Sequence, residues 1–117
     1  MAYEIVRSTA IDLDLSLILG HLVVSYVTLG DPPAHAFERA AERIRAIEAD
    51  METLARTPHE GALWPQIAPG LRHVTKNRTI FYFDVDDPNR IVRVLAIFFG
   101  GQDHQRHMLK RLIMPET

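Results

Sequence analysis

The sequence predicts an α+β domain: an N-terminal strand, an αα-hairpin, a three-stranded antiparallel meander and a C-terminal helix, with the helices on one face of the sheet. Three observations carry that expectation. Two long stretches, one ending near residue 29 and one near residue 57, are rich in apolar residues at helical spacing and are parted only by Gly30-Asp31-Pro32-Pro33. Three later runs, residues 71–75, 79–85 and 91–99, have strand composition and are separated by the turn-forming Lys76-Asn77-Arg78 and Asp86-Asp87-Pro88-Asn89. The length of 117 residues suits one modest core and no second, so residues 1–117 read as a single domain.

Tyr3-Glu4-Ile5-Val6 reads as a short strand. Ser8 or Thr9 offers a helix cap, and Thr9 with Asp12 resembles a capping box. The helix that follows runs to about Leu29. Its polar residues Asp14, His21, Ser25 and Thr28 share one narrow stripe, and most other positions are apolar. That is more apolar circumference than one small sheet can cover, so part of it, with Leu17 and Val24 facing outward, is expected to be buried by a partner. Between residues 15 and 29 there is no Asp, Glu, Lys or Arg, and His21 is the one histidine. A bilayer span needs roughly 20 apolar residues, so the stretch reads as a core helix and no membrane is expected.

Gly30 suits a helix end and the prolines suit the next helix start. Phe37, Ala40, Ala41, Ile44, Ile47, Met51, Leu54 and Ala55 then recur at threes and fours, opposite a charged face, until Thr57-Pro58. Residues 58–70 hold Pro58, Gly61, Pro65, Pro69 and Gly70 and read as a connection, with Trp64 pinning it to the core. Alternation places Phe81, Phe83 and Val85 on one face of the middle strand and Ile80, Tyr82 and Asp84 on the other. Gly100-Gly101 ends the last strand, and a tail helix covers roughly residues 103–114.

Composition narrows the chemistry. The chain has no cysteine, which removes disulfides, thiolate metal sites and thiol nucleophiles. The N-terminus lacks a basic-then-apolar leader, so a cytoplasmic location is expected. The net charge of −2 conceals an asymmetry. Residues 1–71 carry five Arg against ten acids, whereas residues 72–117 carry eight Lys and Arg against five. A locally basic half can hold an anionic partner on a chain that is acidic as a whole.

This element order and several stretches of wording resemble the RelE/ParE superfamily of toxins. The stretches are Leu54-Ala55-Arg56-Thr57-Pro58-His59-Glu60-Gly61 at the end of the second helix, and Gly70-Leu71-Arg72-His73-Val74 with Arg78-Thr79-Ile80-Phe81-Tyr82-Phe83-Asp84-Val85-Asp86. The last strand and its junction, from Ile91 to Gly100-Gly101-Gln102-Asp103-His104, complete them. The resemblance implies a toxin of a type II toxin–antitoxin system, neutralised by a cognate antitoxin, with a homodimer or a heterotetramer with the antitoxin as possible assemblies. RelE-like members cleave messenger RNA on the ribosome; ParE-like members poison DNA gyrase. An inactive member that only binds its antitoxin is a third reading. One scaffold therefore carries different functions.

Metal-free RNA cleavage needs cations on the scissile phosphate and a group that moves protons. The resemblance puts Arg72, Lys76 and Arg78 at the strand bases, His104 at proton transfer and Arg106 with His107 at phosphate. The junction carries Gly and Gln where nuclease members often have Arg, which is closer to ParE-like wording. In that reading Arg72, Lys76, Arg78, Arg106 and Lys110 form a target-binding face, while Leu17, Val24 and Arg93 meet the antitoxin. Bland roles stand beside these: solvated turn cations, a salt bridge for Arg93, a packed His73, and Asp103 as cap of the tail helix. His104 and His107 have a spacing that metal ligands use, but no third ligand is evident, so no metal and no cofactor is expected.

Overall fold

The computed structural model describes residues 2–100 and 103–113. Strand β1 (Glu4–Arg7) leads into helices α1 (Ile11–Thr28) and α2 (Pro33–Glu52), the latter closing in a 3₁₀ turn, Thr53–Ala55. Strands β2 (Ala62–Leu63), β3 (Arg72–Lys76), β4 (Thr79–Asp86) and β5 (Ile91–Phe99) follow, then helix α3 (His104–Ile113). The sheet order is β1-β5-β4-β3-β2. The meander β3-β4-β5 is antiparallel, as expected. Two sheet features were not anticipated: β1 pairs parallel to β5, and the short β2 adds a fifth strand beside β3.

The capping box does not form. Ala10 occupies the cap of α1 in helical geometry with no side-chain hydrogen bond, and the Ile11 amide is taken by the carbonyl of Ser8. At the start of α2, Pro33 fills the first turn and the Asp31 carboxylate pairs with Arg39. The β3–β4 link is a two-residue hairpin turn, with Asn77 and Arg78 both at positive φ (50° and 66°), the geometry that matches strand twist. Helix α2 holds this turn: Arg43 donates to the Asn77 carbonyl, and the Asn77 amide donates to Asp50 at 2.9 Å.

The helices do not share one face of the sheet. The αα-hairpin packs on the face bearing Phe81, Phe83, Val92, Val94 and Ile97, through Ile11, Leu15, Ile18 and Leu22 of α1 and Ala40, Ile47 and Met51 of α2. Helix α3 lies on the opposite face, where Met108 joins Leu71, Ile80, Tyr82, Ala96 and Phe98, bordered by Trp64 and Ile67. The physical reason is in β4, whose five residues 79–83 are all buried, so both faces of the strand require a cover. A β-bulge sharpens the division. Tyr82 pairs with Ala96 and Phe83 with Val94, leaving Leu95 unpaired. Leu95 and Ala96 both turn toward α3, and Ile97 thereby returns to the face of Val92 and Val94.

Candidate functional site

Tyr82 centres the α3 face. Its ring stacks with Trp64 (centroids 6.0 Å apart) and stands within 6 Å of His73, Phe98 and His104. Its hydroxyl lies 2.6 Å from Nδ1 of His104. Burial, reinforced by Asp103, pushes the Tyr82 phenol up to about 12. It therefore keeps its proton through the neutral range, and the hydroxyl and the imidazole share one hydrogen bond. Burial also lowers the pKa of His73, helped by His104, so His73 favours its neutral form. Trp64 thus fastens the 58–70 connection, and His73 is a packed histidine.

Asp103 caps α3, accepting from the Arg106 amide at 3.4 Å. One turn on, His107 stacks over Phe98. The other end of α3 is anchored by an ion pair that the sequence did not reveal. Arg111 meets both carboxylate oxygens of Asp14, at 2.7 and 2.9 Å, and Asp14 is almost fully buried. Asp14 also accepts the Ile97 amide at 3.0 Å, while Arg111 donates to the Leu95 carbonyl. Strand β1 pairs with β5 only as far as Val94. These two side chains therefore satisfy backbone groups along the part of the β5 edge that β1 leaves uncovered. Between α1 and α3 lies a cleft of about 270 Å³, lined by Asp14, Leu17, His21, Phe98, His107 and Arg111. The available signal was Asp14 itself, which unlike Asp12 is buried with Ile11, Leu15 and Ile18, since a buried charge demands a partner.

The basic residues divide. Arg72 and Lys76 share a face with Val74 toward the αα-hairpin, where Arg72 donates to the His59 carbonyl and Lys76 pairs with Glu60. His104 lies on the other side of the sheet. The sequence-derived grouping of Arg72, Lys76 and His104 into one constellation is therefore corrected: β4 separates them. Arg78 projects from the hairpin turn, exposed, and its carbonyl accepts the Gly100 amide beside the junction. Gly101 and Gln102 of that junction, and the expected end of the tail helix at Met114, lie outside the described residues. Among the described residues, Arg78, Arg106 and Lys110 make no ion pair: Arg106 and Lys110 stand on α3, and Arg78 on the β3–β4 turn whose carbonyl meets Gly100. Arg93 forms a two-bonded salt bridge to its cross-strand neighbour Asp84, at 3.1 and 3.2 Å.

Leu17 and Val24 face outward on α1, 64% and 66% exposed. They belong to a line with Leu13 and Val27, also exposed, on the side of α1 away from the buried Ile11, Leu15, Ile18 and Leu22, and Leu17 also borders the cleft toward α3. Arg93 is on the opposite face of the sheet from this line, so only a partner that wraps the β1 edge reaches both.

No family model and no curated protein matches the sequence. Solved structures do share the fold. A chain of the chromosomal ParDE toxin–antitoxin system of P. aeruginosa superposes with a TM-score of 0.63, covering 85% of this chain and 97% of its own length at 22% identity. A chain of the toxin–antitoxin complex RelBE2 of Mycobacterium tuberculosis gives a TM-score of 0.56, covering 87% and 95% at 16% identity. The chain therefore has the α+β fold found in both ParDE and RelBE assemblies.

Proposed function

We propose that this chain is the toxin of a type II toxin–antitoxin pair, and that it arrests growth in the cytoplasm by binding a protein target, with DNA gyrase the target implied by its ParE-like wording. The fold shared with chains of ParDE and RelBE assemblies supports the toxin reading. The observation favouring binding over cleavage is the division of the basic residues. Arg72 and Lys76 are engaged on the αα-hairpin side, so two of the strand cations that the nuclease reading gathers around His104 lie away from it. The docking face in this reading is α3 and its border: Arg78, Arg106 and Lys110, with the exposed Leu109 and Leu112. Arg72 and Lys76 drop out of it. The antitoxin covers the α1 line at Leu17 and Val24, and it contacts Arg93 only by passing around β1.

Production of the chain alone, set against co-production with the antitoxin encoded beside it, tests this reading. The expected result is growth arrest relieved by the antitoxin, with DNA-damage signalling and intact bulk messenger RNA at early times. Normal growth at a verified high level of soluble protein overturns it. The ribosome-dependent nuclease reading retains one observation, the Tyr82–His104 hydrogen bond. If it holds, cleavage appears in a purified translation system and His104→Ala lowers the rate roughly 100- to 10,000-fold, the scale of a lost general acid or base.

A further inference from the structure

The exposed line on α1 has a pattern of its own. Leu13, Leu17, Gly20, Val24 and Val27 follow one another at intervals of four, three, four and three, the spacing of a helix-pairing seam. All five are exposed, and nothing lies within 4 Å of where a Cβ on Gly20 would sit. Such a seam calls for an apolar helix of matching spacing. Beyond Asp12 at its start, the exposed surface of α1 carries no Asp, Glu, Lys or Arg as far as Thr28, so a charged partner stripe would find little counter-charge there.

We propose that the occupant is a second copy of this chain, with the two α1 helices packed antiparallel about a two-fold axis. The seam is self-complementary in that orientation. With Leu17 opposite Gly20 of the other copy, Leu13 falls opposite Val24, and both contacts occur twice. The large side chain enters the space the glycine leaves open, and the missing Cβ lets the helix backbones approach. Opposed helix dipoles also favour the antiparallel over the parallel arrangement. The four exposed apolar side chains present on the order of 400 Å² per copy, about half of what a standard interface takes from each partner. The dimer is therefore weak, with a dissociation constant on the order of micromolar or above. The antitoxin proposed for the same line then competes with self-pairing. That competition rests on the docking reading above, whereas the dimer itself does not.

Sedimentation of the full chain, freed of any copurifying protein and followed over a concentration series, tests the dimer without involving an antitoxin. A monomer–dimer equilibrium is expected, weakened at least about tenfold by Val24→Asp, which buries an unpaired charge. Gly20→Leu separates this seam from general stickiness. It improves helix propensity, so the melting temperature of the dilute monomer rises, yet it blocks the Leu17 contact and weakens association. If Gly20→Leu strengthens association, the seam is wrong. The absence of native cysteine permits a register test: mixed Leu17→Cys and Gly20→Cys chains should form the cross-linked heterodimer in preference to either homodimer. A monomer at high concentration, cross-linking without that preference, or flotation of α1-exposed monomer with neutral phosphatidylcholine vesicles in place of dimer formation each overturns the proposal.

Discussion

Arg78 holds a left-handed backbone, at φ 66°, in a turn where glycine would sit without strain. Its side chain makes no ion pair among the described residues, and a bulky residue in this conformation costs about 1–2 kcal/mol. Arg78→Gly should therefore stabilise the fold, by about 0.5–1 kcal/mol once the more flexible unfolded chain is counted. If Arg78 serves the docking face, the same change weakens target binding, and a denaturant melt beside a binding measurement reads both. Tyr82 supplies a pH dependence. Its phenol titrates near 10.0 when unfolded and at about 12 when folded. Between those values the folded state retains a proton that the unfolded chain has lost, so stability is full below pH 10 and falls as pH rises through the window. Thermal melts from pH 9 to 12 should show that slope. It should shrink in Tyr82→Phe, leaving the smaller part due to Tyr3, whose pKa is raised by its hydrogen bond to Asp87.

Helix α3 is held to the sheet by Met108 in the core, by His104 on Tyr82, by His107 on Phe98 and by the Arg111–Asp14 pair. Asp14 is buried but Arg111 is partly exposed, so Asp14→Asn leaves a guanidinium that water still reaches, and the lost charged hydrogen bonds should cost about 1.5–3 kcal/mol in a urea melt. An Asp14→Leu, Arg111→Met double variant should recover much of that loss, because apolar packing replaces the ion pair. The elements themselves were legible in the sequence. The αα-hairpin announced itself by helical spacing on either side of Gly30-Asp31-Pro32-Pro33, and the faces of β4 by strict alternation. Less visible was whatever depends on residues far apart in the chain. Nothing local shows that Asp14 and Arg111, 97 positions apart, will meet, or that β1 runs parallel to β5. The apolar residues on both sides of β4 did imply two covered faces, which is the reason α3 could not join the other helices. The bulge at Leu95 was hidden because alternation alone assigns Val94 and Ala96 to one face. At the site, the outward Leu17 and Val24 were legible from spacing, whereas His104 entered only through the family resemblance. The separation of Arg72 and Lys76 from His104 was not legible, since it requires knowing which side of the sheet the tail helix takes.

At the scale of the whole molecule, one sheet carries two unequal coats: a two-helix layer against one face and a single short helix with the 64–68 segment against the other. The thinner coat bears Arg106 and Lys110, which make no ion pair among the described residues, and the thicker one carries the apolar line of α1. The proposed target and antitoxin therefore approach from different sides. Joining the coats is the Asp14–Arg111 pair, which also occupies the outer rim of β5 beyond Val94. Strand rims with vacant amides and carbonyls recruit other strands, and charged side chains placed over them are a common safeguard. The pair is thus a guard against runaway assembly as well as a fastening for α3. With both side chains gone, as in the Asp14→Leu, Arg111→Met double variant, the Ile97 amide and the Leu95 carbonyl lose these partners, and that variant should deposit sheet-rich fibrils on storage even where its urea melt recovers.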